Sequence, residues 1–181
     1  MKEPIVPQFT GEEYLRWEEA RPEKYELHHG FIVAFAGGTI AHDRVAFRLR
    51  TFFDRAFERP CETFGADVKI RIADETFFYA DAGVVCEPVD TQDTTVARPT
   101  IVAEVLSRST HAYDQVEKRA AYRTLSSLAA YVIVHADMRR VEVDERGPEG
   151  AWQTAFYDDD FAYIRGRTLA LDDLYGTASG A

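Results

Sequence analysis

Apolar and polar positions along the chain change period several times, and each change marks an element. Thr10 followed three positions later by Glu13 reads as a capping box. It predicts a short helix through about Glu19, packed down by Tyr14, Leu15 and Trp17, with Pro22 beyond its end. KYELHHGFIVAFA is two apolar runs broken at His29-Gly30, which predicts a hairpin. Gly37-Gly38 interrupt the pattern and Thr39 is the next N-cap. Val45, Leu49, Phe52, Phe53 and Ala56 then recur at helical spacing, one face of a long amphipathic helix ended by Pro60. The other face carries Arg44, Arg48, Arg50, Arg55 and Arg59, either a solvated face or a patch turned toward phosphate.

From residue 66 the period becomes two. Val68, Ile70 and Ile72 face one way, with Lys69 and Arg71 opposed, which is a half-buried strand. Residues 77–86, 99–106 and 129–136 are apolar on both faces, as strands inside a doubly covered sheet are. A helix at about 110–124 separates the last two and predicts a β-α-β unit. RRVEVDE alternates and pairs back on its predecessor. Gly147, Pro148 and Gly150 form a loop, followed by short aromatic strands and a final LDDLYG turn. Trp152, Phe156, Tyr157, Phe161 and Tyr163 read as core cover by default, with a dimer face as the other option. Neither a repeat nor a second domain is visible, so the expectation is a single domain over residues 1–181 with its core at about 10–175.

Composition narrows the class. At 46% hydrophobic and 13% aromatic, the chain is too apolar for disorder. No apolar run approaches the roughly 20 residues that span a bilayer, and the N-terminus lacks a signal-peptide core. Cys61 and Cys86 lie outside any CxxC spacing and read as reduced thiols in a cytoplasmic protein. The net charge of −10 counts against broad non-specific nucleic-acid binding. Residues 1–30 hold 4 basic and 7 acidic side chains and residues 142–181 hold 3 and 9, which leaves 14 and 15 between them. The acidity is peripheral, and the middle is nearly neutral.

Two apolar strands each carry an acid, Asp81 and Glu104, where burial should exclude charge. An uncompensated buried carboxylate costs roughly several kcal/mol, so such an acid meets a cation, a donor or a task. Glu104 shares its strand face with Val102 and Leu106. If the two strands are neighbours, both carboxylates converge on one hard cation such as Mg²⁺. The other reading is that each acid caps a strand end or meets an arginine. Asp114, Lys118 and Tyr122 form a stripe at i, i+4 and i+8, while Val116 and Ala120 face the core. Lys118 is either a surface partner of Asp114 or the group that polarises an attacking water. Two carboxylates and a lysine of this kind look like a metal-dependent phosphodiesterase site. His28, His29, His42, His111 and His135 lack zinc-site spacing and read as structural or solvated.

YELHHG with FIVAFAGG, AHDR opening a helix, FYAD before GVVCEP, and PTIVAEVLSRSTHAYDQVEKRAAYRTL resemble the Uma-type "putative restriction endonuclease" family. That family is a bacterial branch of the PD-(D/E)xK superfamily, and the likeness runs from about Thr10 to Tyr175. It implies an α/β, restriction-endonuclease-like fold, a mixed central β-sheet flanked by helices with an N-terminal hairpin. It implies Mg²⁺, with Mn²⁺ as substitute, held by Asp81, Glu104 and the backbone carbonyl of Val105. Glu26 aligns with the family's N-terminal glutamate and would help hold metal or water, against the plainer reading of an exposed hairpin charge. His42 falls where the family often has histidine and would support the ligands from outside. DNA as partner and a homodimer follow from the same resemblance. Two positions depart from the pattern. Ala80 stands where a proline is usual, and Leu106 stands where the superfamily has its lysine. The resemblance implies that Lys118 replaces that lysine from the helix. The function implied is Mg²⁺-dependent hydrolysis of DNA phosphodiester bonds. The alternative is a catalytically inactive nuclease fold used as a binding or assembly module, favoured by Leu106 and the net acidity.

Overall fold

The computed structural model describes residues 8–35, 37–106 and 112–176, the side chains of 112–115 excepted. The expected helix start near 110, His111 and the side chain of Asp114 therefore lie outside the described residues. Helix α1 (Gly11–Glu19) opens at the expected capping box, with the Thr10 N–H donating to the Glu13 carboxylate at 2.9 Å. Strands β1 (Tyr25–His28) and β2 (Phe31–Ala34) form the hairpin. His29 and Gly30 turn it with φ of 49° and 85°, the two positive values that a tight type I′ turn demands. Helix α2 (Ile40–Ala56) starts at Thr39, buries Val45, Leu49 and Phe53, and ends before Pro60 is reached.

Next come β3 (Glu62–Gly65), β4 (Lys69–Ala73), β5 (Thr76–Tyr79) and β6 (Ala82–Val85). The single strand expected over 77–86 is broken at Ala80-Asp81, and its halves enter different sheets. β5 pairs with β1 and β4 in a five-stranded sheet, β2-β1-β5-β4-β7, whose last member is β7 (Thr95–Val96). β6 pairs with β3 and with β8 (Ile101–Leu106). Both halves are buried on both faces, so their periodicity is the same whether the strand continues or changes partners.

The larger sheet runs β11-β10-β9-β8-β6-β3. Its β8 and β9 (Ala130–His135) are parallel and joined through α3 (Ala112–Arg123), the expected β-α-β unit. β10 (Val141–Arg146) and β11 (Trp152–Tyr157) add on antiparallel, which makes the sheet mixed. On one face α2 packs Val45, Leu49 and Phe53 over Ile101, Ala103 and Val105. Leu169 of the hairpin β12 (Phe161–Ile164) and β13 (Arg167–Ala170), and Leu174 of α4 (Leu171–Tyr175), join it. On the other face Val102, Leu106 and Ile133 meet Tyr122 of α3, together with Ile70 and Phe78 of the first sheet.

Three expectations are corrected. Val116 is 70% exposed and Ala120 is exposed too, because α3 lies on the sheet through Lys118 and Tyr122 instead. The long apolar stem of Lys118 packs while its ammonium serves a polar site. Trp152 and Tyr157 pack against the core, but Phe156 on β11 and Phe161 and Tyr163 on β12 are half or more exposed, with Ala162, Ile164 and Leu169 supplying the β12/β13 core contacts. Cys61 and Cys86 are joined in a disulfide. They flank the register pair Glu62↔Val85, so β3/β6 pairing sets them side by side. The step from reduced thiols to a cytoplasmic protein thereby loses its support. Among the described residues no helix is long and apolar enough to cross a membrane.

Candidate active site

The β6/β8 register, Ala82↔Ala103 and Gly83↔Val102, sets Asp81 across from Glu104 one step further along. Directly opposed residues share a sheet face. Asp81 leaves the end of the break between sheets, and its Oδ2 accepts from the Val105 N–H at 2.7 Å. The first turn of α2 brings His42 Nε2 to 3.3 Å from the same oxygen. Glu104 projects with Val102 and Leu106, as the alternation predicts, and accepts from the Tyr122 hydroxyl at 3.0 Å. From α3, Lys118 Nζ lies 3.6 Å from Glu104 Oε1 and 2.7 Å from Glu26 Oε1. Glu26 Oε1 also accepts from the Tyr79 N–H at 2.9 Å, and its Oε2 lies 2.9 Å from His28 Nε2.

These side chains are shielded from water: 8% exposed for Asp81, 11% for Glu104, 6% for Glu26 and 16% for Lys118. Glu26 and Glu104 thus share the Lys118 ammonium, and Asp81 adds its charge nearby. Burial pushes the Glu104 carboxyl up to about 8; the Lys118 charge opposes this, and the Asp81 and Glu26 charges add to it. Burial pushes Glu26 the same way, but His28, Lys118 and the Tyr79 N–H outweigh it and hold Glu26 below the usual range. Burial alone would lower Lys118; Glu104 and Glu26 overcome it and hold the ammonium charged. The hydrogen bond to Asp81 raises His42 against the effect of burial, and the Val105 backbone contributes in the same direction. Among the described residues, burial acts most strongly on Glu104, where the neighbouring Asp81 and Glu26 charges add to it.

Among the described residues no three His, Cys, Asp or Glu side chains cluster as a metal-binding set. The donors that converge here are two carboxylates beside the backbone of Val105. Mg²⁺ accepts such a set, because it takes one or two carboxylates and keeps waters and substrate oxygens as its remaining ligands. Burial is what lifts Glu104, and a bound cation would oppose that lift as the Lys118 charge does. The site opens into a cleft of about 980 Å³ that Glu26, His28, His42, Asp81, Glu104 and Lys118 help to line.

All four side chains singled out in the sequence, Asp81, Glu104, Lys118 and Glu26, meet in this place. Glu26 is 5% exposed, which removes the reading of a solvated hairpin charge. His28, read as structural or solvated, ends β1 on the face of Glu26; the i, i+2 spacing in Glu26-Leu27-His28 is its signal. Tyr122 was visible only as a member of the Lys118 stripe. A supporting ion pair had no signal: Glu18 of α1 accepts from the Tyr79 hydroxyl at 2.6 Å and pairs with Lys69 at 2.9 Å. It anchors the residue whose N–H holds Glu26. His135 lies away from the cleft, 3.2 Å from Glu142.

The fold is similar to a crystal structure from Anabaena variabilis described as "a putative nuclease belonging to DUF820". The TM-score is 0.72 over 92% of this chain and 97% of that one, at 15% identity. Two uncharacterized Synechocystis proteins are closer in sequence. The protein slr1290 is 33% identical, covering 93% of this chain and 92% of its own, and sll1609 is 33% identical, covering 79% and 84%. Residues 11–173 match the Uma2 family model, described as "Putative restriction endonuclease". The chain belongs to the Uma2 family.

Proposed function

We propose that this chain is a divalent-cation-dependent endonuclease that hydrolyses DNA phosphodiester bonds. The observation that carries the reading is the convergence of Asp81 and Glu104 from adjoining strands, with Lys118 Nζ 3.6 Å from Glu104. Family membership supports a nuclease, and DNA follows from the family's description.

Asp81, Glu104 and the Val105 carbonyl would hold Mg²⁺ or Mn²⁺. A divalent ion bound there supplies Lewis acidity toward a phosphoryl oxygen and toward water. Lys118 presents a cation where negative charge grows on the phosphate, and Glu26 orients it through their 2.7 Å contact. His42 and the Val105 N–H fix Asp81 through its Oδ2. Tyr122 does the same for Glu104. The chain's contribution is therefore positioning and charge neutralisation. Leu106 packs beside Tyr122 and lines the cleft, while α3 brings the Lys118 ammonium to 3.6 Å from Glu104. This supports a lysine borne on the helix.

Calorimetric titration with Mn²⁺, followed by cleavage of supercoiled plasmid and of single-stranded DNA, tests the proposal. Saturable binding and cleavage are expected in the wild type, with both lost in Asp81→Asn/Glu104→Gln. Lys118→Met should still bind Mn²⁺ and lose cleavage by about 100-fold or more. A wild type that neither binds Mn²⁺ nor cuts either DNA would sink the reading and leave a nuclease fold used for binding or assembly.

A further inference from the structure

We infer that the cleft wall built by β2 and α2 is a stacking platform for an unpaired nucleobase, so the substrate class is single-stranded DNA. The inference rests on the phosphodiesterase reading above. Phe47 is 69% exposed, although it sits mid-helix between Val45 and Leu49, which enter the core. Val33, 42% exposed, and the half-buried Phe35 line the same cleft. Phe35 rests on the Tyr79 ring with centroids 5.6 Å apart, and the Tyr79 N–H holds Glu26 at 2.9 Å. One residue thus links the apolar wall to the ionic centre.

Charge decides what such a wall receives. Duplex affinity comes largely from a track of cations neutralising successive phosphates. Among the described residues the cleft lining carries six carboxylates against three lysine and arginine side chains, Lys24, Arg50 and Lys118. Lys24 is engaged by Asp67 and by the Ala66 carbonyl, and Lys118 by Glu26. Arg50 lies exposed on α2, one turn beyond Phe47, with its guanidinium by Gly65 and within the electrostatic reach of Asp67. Among the described residues this lining holds no track of cations, whereas aromatic surface with a neighbouring guanidinium is present. That combination suits a base stacked on a ring with a single phosphate alongside. In a duplex the base faces are occupied by each other, so the platform requires an unpaired base.

Fluorescence anisotropy tests this, with Ca²⁺ in place of Mg²⁺, on a labelled single strand of about 12 nucleotides and its blunt duplex. The wild type should bind the single strand more tightly, by on the order of tenfold, and Phe47→Ala should lose on the order of tenfold for the single strand alone. Phe47→Trp should retain binding, with its indole emission quenched by the strand; thermal melts establish that each variant folds. Equal affinity for the two DNAs, or unchanged single-strand binding by a folded Phe47→Ala, overturns the inference. In that event, Mn²⁺-dependent cleavage that persists leaves the nuclease reading standing. Failure to bind either DNA or Mn²⁺ removes both.

Discussion

Glu104 has Lys118 on one side, the Tyr122 hydroxyl on another and aliphatic neighbours along its strand face. Burial lifts its carboxyl from the ordinary 4.5 to about 8. The folded value exceeds the unfolded one, so Glu104's contribution to stability is complete below about pH 4.5 and is lost as pH rises through about 8. The metal-free protein should therefore melt at progressively lower temperature across that window, and the slope should flatten in Glu104→Gln, whose amide does not titrate. Thermal melts in steps across the same pH range check this; parallel slopes would mean that another group titrates. Mn²⁺ affinity should rise over the same window, because the ion takes the deprotonated carboxylate.

At the scale of the element, the close approach of β3 and β6 shapes the floor beneath the site. Gly83 opposes Phe64, and a Cβ on Gly83 would lie 2.2 Å from the Phe64 ring. Gly83→Ala must therefore drive that ring out of its core position, at about 2 kcal/mol by urea unfolding. A Phe64→Leu/Gly83→Ala double variant should recover part of the loss, whereas additive losses would refute the clash. Helix α3 carries a second lesson. Its sheet-facing stripe contains a lysine and its solvent face a valine, an inversion of the usual amphipathic rule. Arg119 and Arg123 hold it there by clamping the buried Asp144 of β10, with Arg123 Nη2 2.7 Å from Asp144 Oδ2. That clamp, on a strand remote from the carboxylates, helps fix Lys118 over Glu104.

For the whole molecule, the Cys61–Cys86 bond ties β3 to β6 across a sequence separation of 25 residues. Closing a loop of that size restricts the unfolded chain and is worth about 3 kcal/mol. Cys61→Ser/Cys86→Ser should melt lower by a corresponding amount, and reductant should bring the wild type down to the same point. A wild type indifferent to reductant would show that the bond contributes nothing. The bond closes the end of the β3/β6 pair opposite Asp81, so Mn²⁺ binding measured alongside tells whether this strap acts on the site through β6.

Local pattern alone determined the helices capped at Thr10 and Thr39, the His29-Gly30 hairpin, the β-α-β unit and the candidacy of Asp81 and Glu104. Each rests on spacing or on an acid out of keeping with its neighbours, and both are properties of a short stretch of chain. Only tertiary structure decided that residues 77–86 divide between two sheets, that Val116 faces solvent and Lys118 faces inward, and that Glu26 is buried. A doubly apolar strand has the same period whichever partner it takes. On local grounds a helix buries its valine and exposes its lysine, and α3 does the reverse. The choice lies with the groups across the gap: Glu26 and Glu104 for Lys118, and β1 and β8 for the two halves of the broken strand.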